Sequence, residues 1–375
     1  MREGTFMHNP RILIAAGGTG GHVYPAIAIA DALKAQHSAT KIQFVGTKDH
    51  MEWTAVPKAG YDIANVWISG FHRRFTVKNL MFPIKLITAL AQSFSILGKF
   101  KPDVVVSCGG YVAGPVGWVA GKKSIPVVIQ EQNSFPGVTN RLLAKFAFKI
   151  FTAFEEADRF FPASKTQITG NPTRSTLSLV EKKTGLHAFD FDDDKPVLLI
   201  MGGSGGARTI NEAIKENLDE LHNKAGLQII WQCGSRYVDA LKAEVDETAY
   251  PNLRLTAFID SMPEAYAASD LVISRAGASS CSEFMLIGKP SVLIPSPNVA
   301  GDHQTQNAQS MVDAGASELV KDSDAVDVIA ELVSKLINDQ QRLQEMNKAA
   351  LSLAKPDAAA TIAIEILELA KSQLN

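Results

Sequence analysis

Short apolar runs alternate with longer segments of helical periodicity along most of the chain. In the first half, the apolar runs predict strands at residues 11–15, 42–46, 62–66, 103–106, 126–129 and 149–152. In the second half, the same pattern predicts strands near residues 197–201, 228–232, 253–256, 271–273 and 291–294. Strands separated by helix-length segments are typical of right-handed βαβ units. The pattern therefore predicts an α/β protein with two doubly wound parallel-sheet domains.

A glycine-rich segment follows the first predicted strand of each half. Residues 17–22 read Gly-Gly-Thr-Gly-Gly-His, and residues 202–207 read Gly-Gly-Ser-Gly-Gly-Ala. Helical periodicity resumes after both segments, so the glycines lie at turns from strand to helix. Glycine permits tight turns and a close approach of backbone N–H groups to a ligand, and a helix N-terminus carries partial positive charge. Both segments therefore predict a binding site for phosphate or another anion.

The boundary between the halves is predicted near residues 166–173, which end in Gly-Asn-Pro-Thr. We expect a first domain at residues 1–168 and a second domain at residues 169–353. Residues 354–375 are expected to form a final helix, with Pro356 at its start, that packs back on the first domain.

Composition and charge narrow the class of protein. The chain has 375 residues, of which 46% are hydrophobic and 20% charged, as in a globular protein. A formal net charge of −2 provides no global basic field, so nucleic acid is not an expected partner. The 3 cysteines lie far apart and fit neither a disulfide framework nor a cysteine-based zinc site. We therefore expect no bound metal and a location in the reducing cytoplasm.

Two segments bear on targeting to a membrane. Residues 1–10 lack the apolar core of a signal peptide, so export is not expected. Residues 80–97 are the most apolar long segment, but polar residues interrupt it. Its apolar stripe predicts a half-buried amphipathic helix rather than a membrane span, with the stripe formed by Leu86, Leu90, Phe94 and Leu97.

The glycine-rich segments do not fit a dinucleotide-binding protein. Val23 and Arg208 stand where the third glycine of that fingerprint belongs. The second predicted strand ends in Gly46 and Thr47 instead of an acidic residue for a ribose. The sequence therefore disfavours NAD as a ligand.

Two polar segments of the second half offer further ligand contacts. Residues 274–283 read Ser-Arg-Ala-Gly-Ala-Ser-Ser-Cys-Ser-Glu after a predicted strand, so that Ser279 or Ser280 is expected to cap a helix. Glu283 has two interpretations, which are binding of vicinal ribose hydroxyls and complementation of the helix dipole. Residues 302–307 are rich in amide side chains, which suit sugar hydroxyls or simply begin a polar helix.

Seven ordered motifs resemble those of the MurG family, within glycosyltransferase family 28. They lie at residues 17–22, 109–115, 131–133, 170–174, 202–207, 274–283 and 302–307. The resemblance implies a GT-B fold, in which two Rossmann-like domains face each other across a cleft. It also implies inverting transfer of N-acetylglucosamine from UDP-N-acetylglucosamine to lipid I, giving lipid II at the cytoplasmic face of the membrane. UDP-N-acetylglucosamine is then a substrate, and no cofactor is expected.

The resemblance also assigns contacts to both substrates. In the second domain it places Ile259 at uracil and Glu283 at ribose. The pyrophosphate would contact Arg174, Ser204, Ala278, Ser279, Ser280, Cys281 and Ser282. The sugar would contact Asn133, Gln304 and the Ala278 amide. The lipid-linked acceptor would rest on Thr19, Gly20 and Gly21, which we also assign to the donor, with Tyr111 nearby. Residues 279–281 are more polar than the Leu-Thr-Val of some relatives, which affects fine affinity only because backbone amides make the contact.

Two residues are candidates for the general base that deprotonates the acceptor hydroxyl. His22 ends the first glycine-rich segment, and imidazole has an ordinary pKa suited to proton transfer at neutral pH. Glu131 is the rival, at the end of a predicted strand. The alternatives are that His22 packs at a helix start and that Glu131 orients Asn133 or an acceptor hydroxyl.

Apolar and basic residues are interleaved before and within residues 80–97, a pattern typical of an interfacial membrane contact. The candidates are Phe71, Arg73, Arg74, Phe75, Lys78, Leu80, Met81, Phe82 and Lys85, with Trp118, Lys122 and Lys123 alongside. The alternative is a set of core residues beside a solvated basic rim.

Two other functions fit the same sequence features. A UDP-sugar epimerase could use the same fold and the same nucleotide contacts without an acceptor. A non-enzymatic nucleotide-sugar-binding protein would bind the same ligand without releasing UDP.

Overall fold

The computed structural model describes residues 9–70, 81–173, 177, 180–203, 205–299 and 302–373. The chain forms two compact units. The first contains Met1–Thr173 together with Lys355–Asn375, and the second contains Arg174–Ala354. Each unit has a parallel sheet with helices on both faces, so the predicted α/β fold class with two doubly wound domains is confirmed.

The sheet of the first unit has seven strands among the described residues, in the order β3-β2-β1-β4-β5-β6-β7. The strands are β1 (Arg11–Ala15), β2 (Lys41–Gly46), β3 (Asp62–Asn65), β4 (Val104–Ser107), β5 (Val127–Glu131), β6 (Ala147–Thr152) and β7 (Thr166–Ile168). The helices between them are α1 (Gly20–Gln36), α2 (Glu52–Lys58), α3 (Phe82–Phe100), α4 (Ala113–Lys122) and α5 (Val138–Leu143). The strand order reverses between β1 and β4.

The sheet of the second unit has six strands among the described residues, in the order β10-β9-β8-β11-β12-β13. The strands are β8 (Val197–Met201), β9 (Gln228–Gln232), β10 (Leu253–Thr256), β11 (Leu271–Ser274), β12 (Ser291–Leu293) and β13 (Ser317–Leu319). The helices are α6 (Lys182–Ala188), α7 (Arg208–Glu216), α8 (Val238–Glu244), α9 (Met262–Ala268), α10 (Ala278–Ile287), α11 (His303–Asp313), α12 (Ala325–Ile337) and α13 (Gln340–Leu353). Here the order reverses between β8 and β11.

The central strands explain the continuous apolar runs of the sequence. Every residue of β4 and of β8 is buried, because helices cover both faces of each parallel sheet. All eleven predicted strands are present, four of them with the predicted bounds and the others with ends shifted by at most two residues. The predictions missed β7 and β13, which are three-residue edge strands that lack an apolar run.

The last helix, α14 (Ala358–Ser372), belongs to the first unit. Ile362 and Ile366 are fully buried in the same apolar cluster as Ile12 of β1 and Ile29 of α1. The helix begins at Ala358, later than the sequence predicted, because residues 354–357 connect it to α13.

Helix α3 has the predicted amphipathic character, but one member of the predicted stripe was wrong. Ala89, Ser93 and Leu97 are buried, whereas Phe94 is 59% exposed and lies on the outer side. Within the described residues, no helix combines the length and apolar composition needed to cross a bilayer.

Candidate functional site

Both glycine-rich segments lie at the point where the strand order of their sheet reverses. In the first unit, residues 17–19 follow β1 and residues 108–112 follow the adjacent β4. In the second unit, residues 202–207 follow β8 and residues 275–277 follow the adjacent β11. The carboxyl ends of adjacent strands at such a reversal form the usual ligand crevice of open α/β sheets. Each unit therefore has one candidate ligand site.

The first glycine segment is anchored by the fully buried carboxylate of Glu52. Its Oε2 accepts from the Gly18 amide at 3.1 Å, and its Oε1 accepts from the Thr47 amide at 3.1 Å and the Thr47 hydroxyl at 2.7 Å. A Cβ at Gly17 would lie 2.5 Å from Glu52 Oε1. The absence of a side chain at residue 17 therefore lets the carboxylate hold the loop.

A second pair of glycines, after β4, packs directly against this loop. A Cβ at Gly110 would lie 2.2 Å from the carbonyl oxygen of Gly17, and a Cβ at Gly109 would lie 2.8 Å from His22 Nδ1. Both residues also have positive φ, of 80° and 95° respectively. The close approach of the two loops therefore requires glycine at both positions.

The N-terminus of α1 presents backbone amides at this crevice. Thr19 is the N-cap in extended geometry, and its side chain makes no capping hydrogen bond. Its carbonyl accepts from His22 N at 3.1 Å and Val23 N at 3.2 Å. The amides of Gly20 and Gly21 begin the helix, where about half a positive charge accumulates. This arrangement suits a pyrophosphate oxygen.

His22 lies in the first turn of α1 and contacts a buried amide of the residue that follows β5. Its Nδ1 lies 3.0 Å from Gln132 Oε1. Gln132 is fully buried, and its Nε2 donates to the carbonyl of Cys108 at 2.7 Å. The imidazole is therefore held by a neutral partner that is itself fixed by the backbone.

Glu131 is only 1% exposed, and donors occupy both of its carboxylate oxygens. Oε1 accepts from Asn133 N at 3.1 Å and Asn133 Nδ2 at 3.2 Å. Oε2 accepts from Gly137 N at 3.2 Å and Asn140 Nδ2 at 2.9 Å. Both oxygens of this buried carboxylate are engaged in holding neighbouring groups, which favours the orienting role for this residue.

In the second unit, the glycine segment precedes α7. Gly203 and Gly206 have positive φ, of 78° and 73°. A Cβ at Gly206 would lie 2.2 Å from the carbonyl oxygen of Cys233. This loop therefore also depends on glycine for a close backbone approach.

The cap of α10 differs from the prediction. Gly277 is the N-cap, and Ser279 and Ser280 lie in the first turn, so the predicted capping by a serine was wrong. Because glycine has no side chain, the amides of Ala278 and its neighbours are left without a side-chain cap. The buried Ser279 Oγ has no hydrogen-bond partner among the described residues. Both features suit an anionic ligand at this helix start.

Two neighbours on α10 are buried under this turn. Cys281 is fully buried, and burial raises the pKa of its thiol to about 12. Ser282 is 8% exposed. Their side chains therefore stabilise the turn, and the backbone is the part available to a ligand.

Glu283 is oriented by a tyrosine from α9. Tyr266 Oη donates to Glu283 Oε2 at 2.6 Å. Burial and the nearby Glu283 carboxylate raise the pKa of Tyr266 well above its ordinary value, so the hydroxyl keeps its proton and acts as the donor. This partner favours a positioned carboxylate over simple complementation of the helix dipole.

The other predicted contacts have defined surroundings. Ile259 is 4% exposed, and its amide donates to Gln232 Oε1 at 3.3 Å. Gln304 Oε1 accepts from Ser296 N at 2.8 Å. Tyr111 is 57% exposed and contacts residue 70, where a Cβ would lie 2.3 Å from its ring.

Several predicted residues lie outside the described part of the chain. They are Arg174, Ser204, Phe71, Arg73, Arg74, Phe75, Lys78 and Leu80. Phe82 is described, is half-buried and packs against the core beneath α3. The part of the chain that the structure describes contains no group of three or more His, Cys, Asp or Glu side chains placed to hold a metal ion.

Four residues of these sites were not predicted from the sequence, namely Glu52, Gln132, Asn140 and Tyr266. Glu52 and Asn140 are polar residues in helical segments, where burial is not visible from local periodicity. Gln132 and Tyr266 contact partners 110 and 17 residues away. Of the four, only Gln132 carried a sequence signal, because it stands beside Glu131 at the end of a strand.

Comparisons with known proteins agree with this geometry. Residues 12–152 match the glycosyltransferase family 28 N-terminal domain, and residues 197–362 match the corresponding C-terminal domain. A protein of Flavobacterium psychrophilum is 46% identical over 98% of this chain and 100% of its own length. One of Bacteroides thetaiotaomicron is 45% identical over 97% and 98%. Both are named UDP-N-acetylglucosamine–N-acetylmuramyl-(pentapeptide) pyrophosphoryl-undecaprenol N-acetylglucosamine transferase.

Solved structures show the same relationship. The crystal structure of MurG from Acinetobacter baumannii is 31% identical, covers 96% of this chain and 99% of its own, and has a TM-score of 0.70. A UDP-N-acetylglucosamine 2-epimerase aligns with a TM-score of 0.72 over 96% of each chain, but at 14% identity this likeness concerns the fold alone. From the matched domains and the near-full-length relatives, the chain belongs to glycosyltransferase family 28, in its MurG branch, and has the GT-B fold.

Proposed function

We propose that this protein is the inverting transferase that moves N-acetylglucosamine from UDP-N-acetylglucosamine to lipid I, giving lipid II and UDP in peptidoglycan synthesis. Lipid I is undecaprenyl-pyrophosphoryl-MurNAc-pentapeptide, and the acceptor group is the C4 hydroxyl of its MurNAc. The observation that carries this proposal is identity of 42–46% along nearly the whole chain with relatives that bear this transferase name.

The second domain, residues 169–353, binds the donor in this proposal. The uncapped N-terminus of α10, from Ala278 to Ser282, faces the pyrophosphate, with Arg174 and Ser204 as further contacts. Glu283, held by Tyr266, binds the ribose hydroxyls. Ile259 contacts uracil through its carbonyl, and Gln304 and Asn133 contact the sugar.

The first domain, residues 1–168 together with the helix in residues 354–375, binds the acceptor. The amides of Gly20 and Gly21 and the N-cap Thr19 hold its pyrophosphate at the start of α1. The exposed Tyr111 lies on the loop after β4 and provides a ring for the acceptor sugar.

The reaction needs a proton acceptor and stabilisation of the leaving group. His22 takes the proton of the C4 hydroxyl, and the C4 oxygen attacks the anomeric carbon from the face opposite UDP. The bond between that carbon and the UDP oxygen breaks, and its electron pair leaves with UDP. The positive end of α10 and Arg174 stabilise the charge on the departing pyrophosphate, so this scheme needs no metal or cofactor.

Glu131 acts as a positioning residue in this scheme. Its four hydrogen bonds fix the backbone and the side-chain amide of Asn133 and tie residues 137 and 140 to the end of β5. Loss of the carboxylate would disturb the loop that carries the sugar contact.

The first unit also carries a surface suited to the cytoplasmic face of the membrane. Ile84, Ile87 and Phe94 of α3 are 52%, 69% and 59% exposed, and Trp118 of α4 is 42% exposed. Lys123 Nζ lies 4.0 Å from the centre of the Phe94 ring, and Lys122 Nζ lies 5.7 Å from that of Trp118. Exposed apolar groups flanked by cations suit an anionic lipid surface, which supports peripheral attachment of the enzyme there.

The transferase proposal is tested by the dependence of UDP release on the acceptor. We expect the purified protein to release UDP and to form a β-linked disaccharide only when a lipid I analogue is present with UDP-N-acetylglucosamine. Chromatography of the nucleotide and NMR of the product measure both. Conversion of UDP-N-acetylglucosamine to an epimer without acceptor would instead identify an epimerase, and binding without turnover would identify a binding protein.

The proposed base is tested by His22→Ala. We expect kcat to fall by about 10²-fold or more, the usual scale for loss of an acid–base group, while the KM for UDP-N-acetylglucosamine holds. His187→Ala, at an exposed position of α6, is the control and should keep wild-type kinetics. Near-normal turnover of His22→Ala would shift the base role to Glu131.

The orientation of Glu283 is tested by Tyr266→Phe, which keeps the ring packed on Phe284 and removes only the hydroxyl. We expect the Kd for UDP to rise by about tenfold, because a hydrogen bond to a charged group is lost, with kcat maintained. Titration calorimetry measures the Kd, and Tyr250→Phe in the same unit is the control. Unchanged UDP binding would argue against a ribose contact at Glu283.

The membrane surface is tested by vesicle sedimentation. We expect Lys122→Glu combined with Lys123→Glu, or Phe94→Ser alone, to weaken binding to anionic vesicles at least tenfold, since each basic residue near the surface contributes about 1 kcal/mol. Leu351→Ser, which removes a 47% exposed apolar side chain from α13 of the second unit, should leave binding unchanged. Equal binding by all variants would contradict the assignment of this surface.

A further inference from the structure

Buried amide side chains next to His22 form a chain of hydrogen bonds in which each glutamine Nε2 donates to the oxygen of the next amide. Gln130 Nε2 donates to Asn171 Oδ1 at 3.3 Å, and Gln132 Nε2 donates to Gln130 Oε1. Gln132 Oε1 in turn lies 3.0 Å from His22 Nδ1. Gln130 and Gln132 are fully buried and Asn171 is 4% exposed. Asn171 Nδ2 has no hydrogen-bond partner among the described residues, so the direction of the chain is determined at the Gln132 end.

The orientation of the Gln132 amide follows from its backbone partner. Its Nε2 donates to the carbonyl oxygen of Cys108 at 2.7 Å. If the amide were reversed, its Oε1 would face that carbonyl oxygen. Two buried acceptors would then be in contact with no donor between them, which is unfavourable. The oxygen of Gln132 must therefore face His22.

An amide oxygen can only accept a hydrogen bond, so the proton between the two side chains belongs to His22 Nδ1. In a neutral imidazole with a proton on Nδ1, Nε2 carries the lone pair. The ring also rests close to residue 109, where a Cβ would lie 2.8 Å from Nδ1 and 2.9 Å from Cε1. The Nδ1–Cε1 edge of the ring is thus packed against protein, and Nε2, on the other side of Cε1, is not among the atoms nearest to residue 109.

We infer that Gln132 is a positioning residue that selects the Nδ1–H tautomer of His22 and so makes Nε2 the atom that accepts the acceptor proton. The catalytic half of this inference rests on the proposed role of His22 as the base. When the C4 hydroxyl gives its proton to Nε2, both ring nitrogens carry hydrogen, and the bond from Nδ1–H to Gln132 stays in place. Proton transfer then needs no rearrangement of the buried amides.

The structure offers a matched control for the loss of a buried glutamine. Gln228 of β9 is also fully buried, and its Oε1 accepts from Asp192 N at 2.7 Å while its Nε2 donates to the Asp192 carbonyl at 2.9 Å. Its Nε2 also donates to the carbonyl of Lys195 at 3.2 Å, and neither Asp192 nor Lys195 is assigned to a substrate. Methionine has nearly the shape of glutamine, so Gln132→Met and Gln228→Met each remove one buried amide.

The tautomer is read directly by long-range ¹H–¹⁵N NMR of protein labelled at histidine, at a pH where the imidazole is neutral. A His22→Gln variant assigns the His22 signals among those of the 8 histidines. We expect a protonated Nδ1 and an unprotonated Nε2 in the wild type and in Gln228→Met. Gln132→Met should shift the population towards the Nε2–H form. A wild type with Nε2–H, or a Gln132→Met variant that keeps Nδ1–H, would overturn the inference.

Kinetics separate this inference from the base role of His22. For Gln132→Met we expect kcat to fall about tenfold, the effect of losing one buried hydrogen bond, with the KM for UDP-N-acetylglucosamine unchanged. Gln228→Met should keep its kcat. A changed tautomer with normal kcat would refute His22 as the base and leave tautomer selection by Gln132 standing. The wild-type spectrum tests the inference even if Gln132→Met does not fold.

Discussion

The close approach of two backbone loops is the constraint on which the site of the first unit depends. A Cβ at Gly110 would lie 2.2 Å from the carbonyl oxygen of Gly17, so the ends of β1 and β4 can meet only through residues without side chains. In this arrangement Glu52 accepts from the Gly18 amide of the loop after β1, and the imidazole of His22 packs against Gly109 in the loop after β4. The start of α1 is thereby fixed relative to the groups that would act on its ligand.

The second unit uses the same backbone arrangement with different polar partners. Glycines again hold the loop after the first central strand, and a helix without a side-chain cap follows the neighbouring strand. Here the oriented group is Glu283, and its partner is the neutral hydroxyl of Tyr266. In the proposed function, the same topology serves proton transfer in one unit and recognition of hydroxyl groups in the other.

The sequence predicted most of the fold because helices cover both faces of the central strands, which therefore read as apolar runs. It missed β7 and β13, since three-residue edge strands need no such run. It identified His22 and Glu131 but could not rank them. The two residues differ in their hydrogen-bond partners, which are Gln132 for His22 and Asn133, Gly137 and Asn140 for Glu131. His22 and Gln132 are 110 residues apart in the sequence. Contacts of that separation have no local periodicity.

The position of α14 has a consequence for how the protein is made. Ile362 and Ile366 complete the cluster that contains Ile12 and Ile29, yet the ribosome adds them after the whole of the second unit. Domains usually fold in the order of their synthesis. In this chain the first unit cannot close its core until Ala358–Ser372 have been synthesised, so the second unit is the first able to reach its native state.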